Sequence, residues 1–151
     1  MKALILSAVL FVSVAANAAS INLPDNEKVV KTFNELFKGA SNVTWNNVGK
    51  QYEAFFTLAS IKTRVTIDQK GRLVQTIRYY GESELPANIL YNVKNQYLGK
   101  EIFGVTEISN KFGTQYQIVL KDNSHYIHLN ANSKGDLELA EKYKRGDSTK
   151  K

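Results

Sequence analysis

The chain offers little to catalysis or metal binding. His125 and His128 stand three positions apart. Side chains alternate along a strand, so residues i and i+3 point to opposite faces and cannot share a metal ion. Glu82 and Glu84 form a carboxylate pair just before a Leu85-Pro86 helix start, where the helix dipole favours negative charge without any acid–base role. Asp68 and Asp136 flank Gly71 and Gly135, and short acidic side chains at such places shape hairpin turns. There is no cysteine, which excludes thiolate nucleophiles, disulfides and thiolate-ligated zinc. The sequence carries no nucleophile elbow, zinc-protease motif, phosphate loop or Rossmann glycine set. The expectation is a protein that is not an enzyme and takes no cofactor or metal.

With 151 residues, 43% hydrophobic and 23% charged, the composition is that of an ordinary folded domain. Lysine and arginine number 20 against 14 acidic residues, a net charge of +6, which favours acidic partners. Residues 1–18 read as a signal peptide. Lys2 supplies the positive start, 3–14 is almost wholly apolar, and Ala16-Asn17-Ala18 provides small residues for cleavage after Ala18. The apolar run falls short of the ~20 residues a spanning helix needs, so no stable membrane insertion is expected. An exported chain, periplasmic or secreted, has no nucleic acid to meet.

Behind the signal the chain repeats itself. Pro24-Asp25-Asn26 starts a helix in which Val29, Val30, Phe33, Leu36 and Phe37 form one apolar stripe, stopped by Gly39. Strands follow at 42–48, 52–58, 61–67 and 72–80, with turns at Ala59-Ser60 and 68–71. Leu85-Pro86 then opens a second helix. Ile89, Val93, Tyr97 and Gly99 each lie 60 positions after Val29, Phe33, Phe37 and Gly39. Further on the offset becomes 64, matching Tyr116 to Tyr52, Gly135 to Gly71 and Tyr143 to Tyr79, so four extra residues sit near 110–113. The division is a first unit at 19–81, a second at 82–145 and a basic tail at 146–151.

Alternation assigns the sheet faces. Tyr52, Ala54, Phe56, Ile61, Thr63, Val65, Ile67, Leu73, Ile77 and Tyr79 are expected under the first helix. Ile118, Leu120, Ile127, Leu129, Leu137 and Leu139 are expected under the second. The opposite face then carries Phe55, Thr57, Lys62, Arg64, Thr66, Thr76, Arg78 and Tyr80, with Gln115, Gln117, Val119, Tyr126, His128 and Lys142 from the second half. One helix per four strands leaves nothing to cover it. Phe55, Lys62, Arg64, Arg78, Tyr80, Tyr126 and His128 are the candidate partner-binding residues, since aromatics and arginine are enriched in interface cores. Lys62, Arg64 and Arg78 would share a positive field that draws an acidic protein.

Ala40-Ser-Asn-Val-Thr-Trp45, Tyr52-Glu-Ala-Phe-Phe56, Val65-Thr-Ile-Asp-Gln-Lys-Gly71 and Glu84-Leu-Pro86 resemble the PepSY-like family of exported, β-lactamase-inhibitor-like proteins of Bacteroidetes. The second half fits through Tyr116-Gln-Ile-Val-Leu120 and Lys134-Gly135. The family's usual proline before the tryptophan motif is replaced by Lys38-Gly39, and Val105 stands where a second tryptophan belongs. The resemblance implies an α+β fold: a tandem pair of helix plus four-stranded antiparallel sheet units, helices on one face and the other face open. It implies binding or inhibition of an envelope or secreted protein, because the known inhibitor docks a concave sheet onto its enzyme. The alternative is a binder of small ligands or anionic surfaces, using a cleft between the halves or the basic tail. Neither the partner nor the oligomeric state follows from the sequence.

Overall fold

The computed structural model describes residues 23–146. The expected signal peptide at 1–18 and all but the first residue of the expected basic tail lie outside this range. Two helices, α1 (Glu27–Leu36) and α2 (Ala87–Gln96), accompany eight strands: β1 (Ser41–Val48), β2 (Gln51–Leu58), β3 (Ile61–Asp68), β4 (Leu73–Tyr80), β5 (Glu101–Asn110), β6 (Gly113–Lys121), β7 (His125–Asn132) and β8 (Leu137–Lys144). The strands form one antiparallel sheet in chain order. β4 and β5 pair directly, Gln75 to Tyr80 against Asn110 to Val105, so the sheet is continuous across the middle of the chain.

α1 begins where Asn26 accepts hydrogen bonds from the backbone N–H groups of Lys28 and Val29, a side-chain N-cap. Val29 and Phe33 are buried against Tyr52, Ala54, Phe56, Val65 and Ile67. Leu36, expected in the same stripe, is instead 53% exposed. α2 buries Ile89 and Val93 against Val105, Ile118, Leu120, Ile127 and Leu129. Each helix is also tied to a hairpin turn. Thr32 Oγ1 donates to the carbonyl of Gly71 at 2.7 Å, and Asn92 Nδ2 to that of Gly135 at 2.9 Å. Both glycines have positive φ, +78° and +93°. A Cβ at Gly71 would stand 3.0 Å from the carbonyl oxygen of Lys28, and one at Gly135 2.8 Å from Asn92 Nδ2. The two turns thus need glycine both for the left-handed backbone and for close approach to a helix.

Two faces differ from the sequence expectation, for one reason. Ile67 pairs with Leu73, but Thr66 pairs with Gln75, which leaves Val74 as an extra residue in a bulge. Because side chains alternate with period two, one extra residue turns every later side chain over. Ile77 and Tyr79 therefore lie on the face away from the helices, opposite Arg64 and Lys62. Thr76, Arg78 and Tyr80 lie on the helix side. β8 does the same: Leu129 pairs with Leu139 but His128 with Glu141. Lys142 consequently moves to the helix side and Tyr143 to the open side, beside Tyr126.

Val74 is exposed and its neighbours keep their partners if it is removed, since Gln75 would then follow Leu73 in regular register. Deleting Val74 is expected to shift stability by less than about 1 kcal/mol in urea unfolding. A loss of several kcal/mol would show that the bulge itself holds the register.

Candidate functional site

The open face is ordered in cross-strand rows. The central row runs Thr44, Phe55, Arg64, Ile77, Ile108, Gln115, each directly opposite the next on successive strands. It holds an apolar strip in an otherwise polar surface. Ile77 is only 7% exposed, although no helix covers it. Its neighbours in the row are Arg64 and Ile108, and the aliphatic stem of an arginine covers apolar surface well. Arg64 also places its guanidinium carbon 5.8 Å from the centre of the Phe55 ring, a cation–π contact. The next row adds Thr57, Lys62, Tyr79, Thr106 and Gln117.

Lys62 and Arg64 make no ion pair with any described carboxylate, whereas most of the other charged pairs of the sheet are closed. Arg64 Nε is buried and has no hydrogen-bond partner among the described residues. A buried donor left unbonded costs about 1–3 kcal/mol. The guanidinium is thus held in place by packing and not by a counter-charge.

At the far side of the same face, β7 presents Tyr126 and His128. Tyr126 packs on Phe103 with ring centres 5.6 Å apart, and Arg145 lies 5.4 Å over its ring. His128 meets Tyr143 edge-on at 5.3 Å. The sheet brings Phe55, Lys62 and Arg64 together on β2 and β3; Tyr126 and His128 form a second group four strands away. His125 faces the helix side opposite Lys144, so the two histidines are on different faces.

Arg78 and Tyr80, expected on the open face, are on the other one. Arg78 Nη1 donates to both carboxylate oxygens of Glu107, at 3.2 and 3.3 Å. Tyr80 Oη donates to Glu107 Oε2 at 2.6 Å, and Arg78 lies 5.2 Å over the Tyr80 ring. Burial, then the Glu107 carboxylate, holds the Tyr80 phenol well above its ordinary pKa. Burial does the same for neighbouring Tyr116. This closed polar seam separates the two apolar cores and takes Arg78 out of the positive field expected with Lys62 and Arg64. Ile77, Tyr79, Ile108, Phe103 and Tyr143 are the open-face residues that sequence reasoning missed. For Ile77 and Tyr79 the signal was the Leu73-Val74 pair: two apolar residues in succession break alternation and mark a bulge.

No family model matches the sequence, and no curated protein matches it. Solved structures do match. A BLIP-like protein from Bacteroides fragilis superposes with a TM-score of 0.62 at 18% identity, covering 85% of this chain and 93% of that one. A DUF2874 family protein from Bacteroides ovatus gives 0.61 at 18%, covering 83% and 91%. A candidate periplasmic protein from Bacteroides eggerthii gives 0.59 at 17%, covering 80% and 88%. At such identities the likeness is one of fold. No helix among the described residues is long and apolar enough to cross a membrane.

Proposed function

We propose that the chain is an exported, non-catalytic binding module that docks an acidic patch of an envelope or secreted protein onto its open sheet face. The reading treats the fold as two copies of one helix-and-four-strand unit, joined so that their uncovered faces become continuous. The observation that carries it is the Phe55–Arg64–Ile77–Ile108 strip with Lys62 beside it. An apolar centre lies next to two cations that no described carboxylate neutralises. Interface cores have this make-up: aromatic and arginine anchors that lose water when a partner closes over them. The BLIP-like fold neighbour supports a binding role by analogy of architecture.

A photo-crosslinking residue replacing Tyr79, on the open face, is expected to capture one envelope species. The same residue replacing Tyr91, exposed on α2, is not. Reversing Lys62→Glu and Arg64→Glu together should cut that capture at least roughly tenfold, and added salt should weaken it, because the attraction is electrostatic. Unfolding should change little, by about 1 kcal/mol for the lost cation–π contact. Equal capture from both faces, or capture unmoved by the reversal, would overturn the reading.

A further inference from the structure

A second site lies at the end of the open face, under the hairpin joining β5 and β6. A groove of about 640 Å³ is bounded there by the β3–β4 turn on one side and by Asn110, Lys111 and Phe112 on the other. That volume falls within the range of small-ligand sites. Its floor is a single cross-strand row: Glu53, Thr66, Gln75 and Asn110, directly paired on four successive strands. Adjacent members stand about 5 Å apart, the spacing of strands.

We propose that this groove binds a neutral carbohydrate chain. The floor is a carboxylate, a hydroxyl and two amides, so it mixes donors with acceptors; Asn110 Oδ1 already accepts from the Phe112 N–H at 2.8 Å and leaves its Nδ2 to donate. A sugar hydroxyl donates and accepts at once, and only a mixed row satisfies it. Charge points the same way. Asp68 is closed by Arg72 at 2.6 Å, and Lys111 rests 4.8 Å over the Phe112 ring. Glu53 and Lys111 then balance, leaving no net field to select an ion. The rim is apolar: Phe112 is 86% exposed at the hairpin tip, with Leu73 and Val74 also exposed. Lys111 takes one face of the Phe112 ring, and the other is offered to the C–H side of a sugar ring. A peptide strand is disfavoured, because all four strands are interior to the sheet and none offers an edge for strand addition.

The groove spans the junction of the two halves. The residues that break the repeat, near 110–113, are those that lengthen this hairpin: β5 has ten residues and β6 nine, against eight each in β1 and β2. Extra residues at this one hairpin place Phe112 on the groove wall. None of the groove residues is Lys62 or Arg64, so the site stands or falls apart from protein docking.

The test is an amide NMR titration of the intact protein with neutral hexasaccharides: malto-, cello-, xylo-, laminari-, manno- and chitohexaose. At least one is expected to shift the Thr66, Gln75, Asn110 and Phe112 signals with a Kd of roughly 0.1–1 mM. Phe112→Ala and Gln75→Ala should each weaken it about tenfold or more, with unfolding midpoints unchanged for the exposed Phe112. The Lys62→Glu, Arg64→Glu protein should bind it as well as the original. The proposal is overturned if no hexasaccharide moves these signals at ~10 mM. It is also overturned if shifts persist in both alanine variants, or if only charged sugars bind and the charge reversal abolishes them.

Discussion

Phe33→Ala is expected to cost about 3–5 kcal/mol of folding stability, the ordinary range for truncating a buried phenylalanine. The ring is 5% exposed and sits at the centre of the first core. Its centroid is 4.9 Å from Trp45, 5.0 Å from Phe56 and 5.4 Å from Phe37. Phe56 and Trp45 are met edge-on, the arrangement that aromatic quadrupoles favour. Removing the ring deletes all three contacts and leaves a cavity between a helix and two strands. The melting temperature should fall by roughly 10–20 °C. Trp45 is the only tryptophan, so its fluorescence reports this core alone, while far-ultraviolet dichroism reports the whole sheet. Both transitions are expected to move together, because β4 and β5 are hydrogen-bonded along six residue pairs and fraying one half exposes an edge of the other. A dichroism transition that stays at the original midpoint would show that the halves unfold separately.

Glu107→Ala is expected to cost about 2 kcal/mol, since hydrogen bonds to charged groups contribute about 1.5–3 kcal/mol each. Glu107 accepts from both Arg78 and Tyr80, and its side chain is 14% exposed. Arg78 is 35% exposed, so water recovers part of its loss and the full cost of a deeply buried pair does not apply. The Tyr80 hydroxyl, half-buried beside the second core, recovers less. Replacing both charges, Arg78→Met with Glu107→Leu, should restore at least half of the lost stability. An apolar pair of similar volume carries no desolvation cost. Urea unfolding of the original protein, Arg78→Met, Glu107→Leu and the double variant gives the coupling energy directly. A coupling near zero would mean that Arg78 and Glu107 are each served by water, and that the seam is held by packing alone.

The Tyr80 pKa provides a second check on the seam. The phenol is raised by burial and by Glu107, so its deprotonated form is disfavoured in the folded state. Stability from this group is present below the ordinary tyrosine pKa and is lost as pH rises toward the folded value.

The two helices, their stops and the limits of the first four strands were legible in the sequence, because each is written in local chemistry. Asn26 caps α1 with its own side chain, Gly39 and Gly99 take positive φ, and Gly71 and Gly135 turn hairpins against helices. The apolar cores were legible too. Tyr52, Ala54, Phe56, Val65 and Ile67 alternate strictly, and so do Ile118, Leu120, Ile127 and Leu129. Of the residues named for binding, Phe55, Lys62, Arg64, Tyr126 and His128 were placed on the open face correctly, since no bulge lies between each of them and its turn.

What the sequence by itself determined, then, is which residues can be apolar partners within one strand or one helix turn. Only the tertiary structure decided which side Arg78, Tyr80, Ile77, Tyr79 and Lys142 occupy. A bulge adds a single residue, at Val74 in β4 and at Ala140 in β8, and inverts everything beyond it. Nothing local opposes that inversion: in either phase one face of β4 takes Ile77 and Tyr79 and the other takes Tyr80, so both faces receive a large apolar or aromatic side chain. The choice is made across the sheet, where β5 arrives after a helix and a turn and sets Glu107 opposite Arg78. Long-range pairing of charges and strands, absent from any short window of sequence, selects the phase.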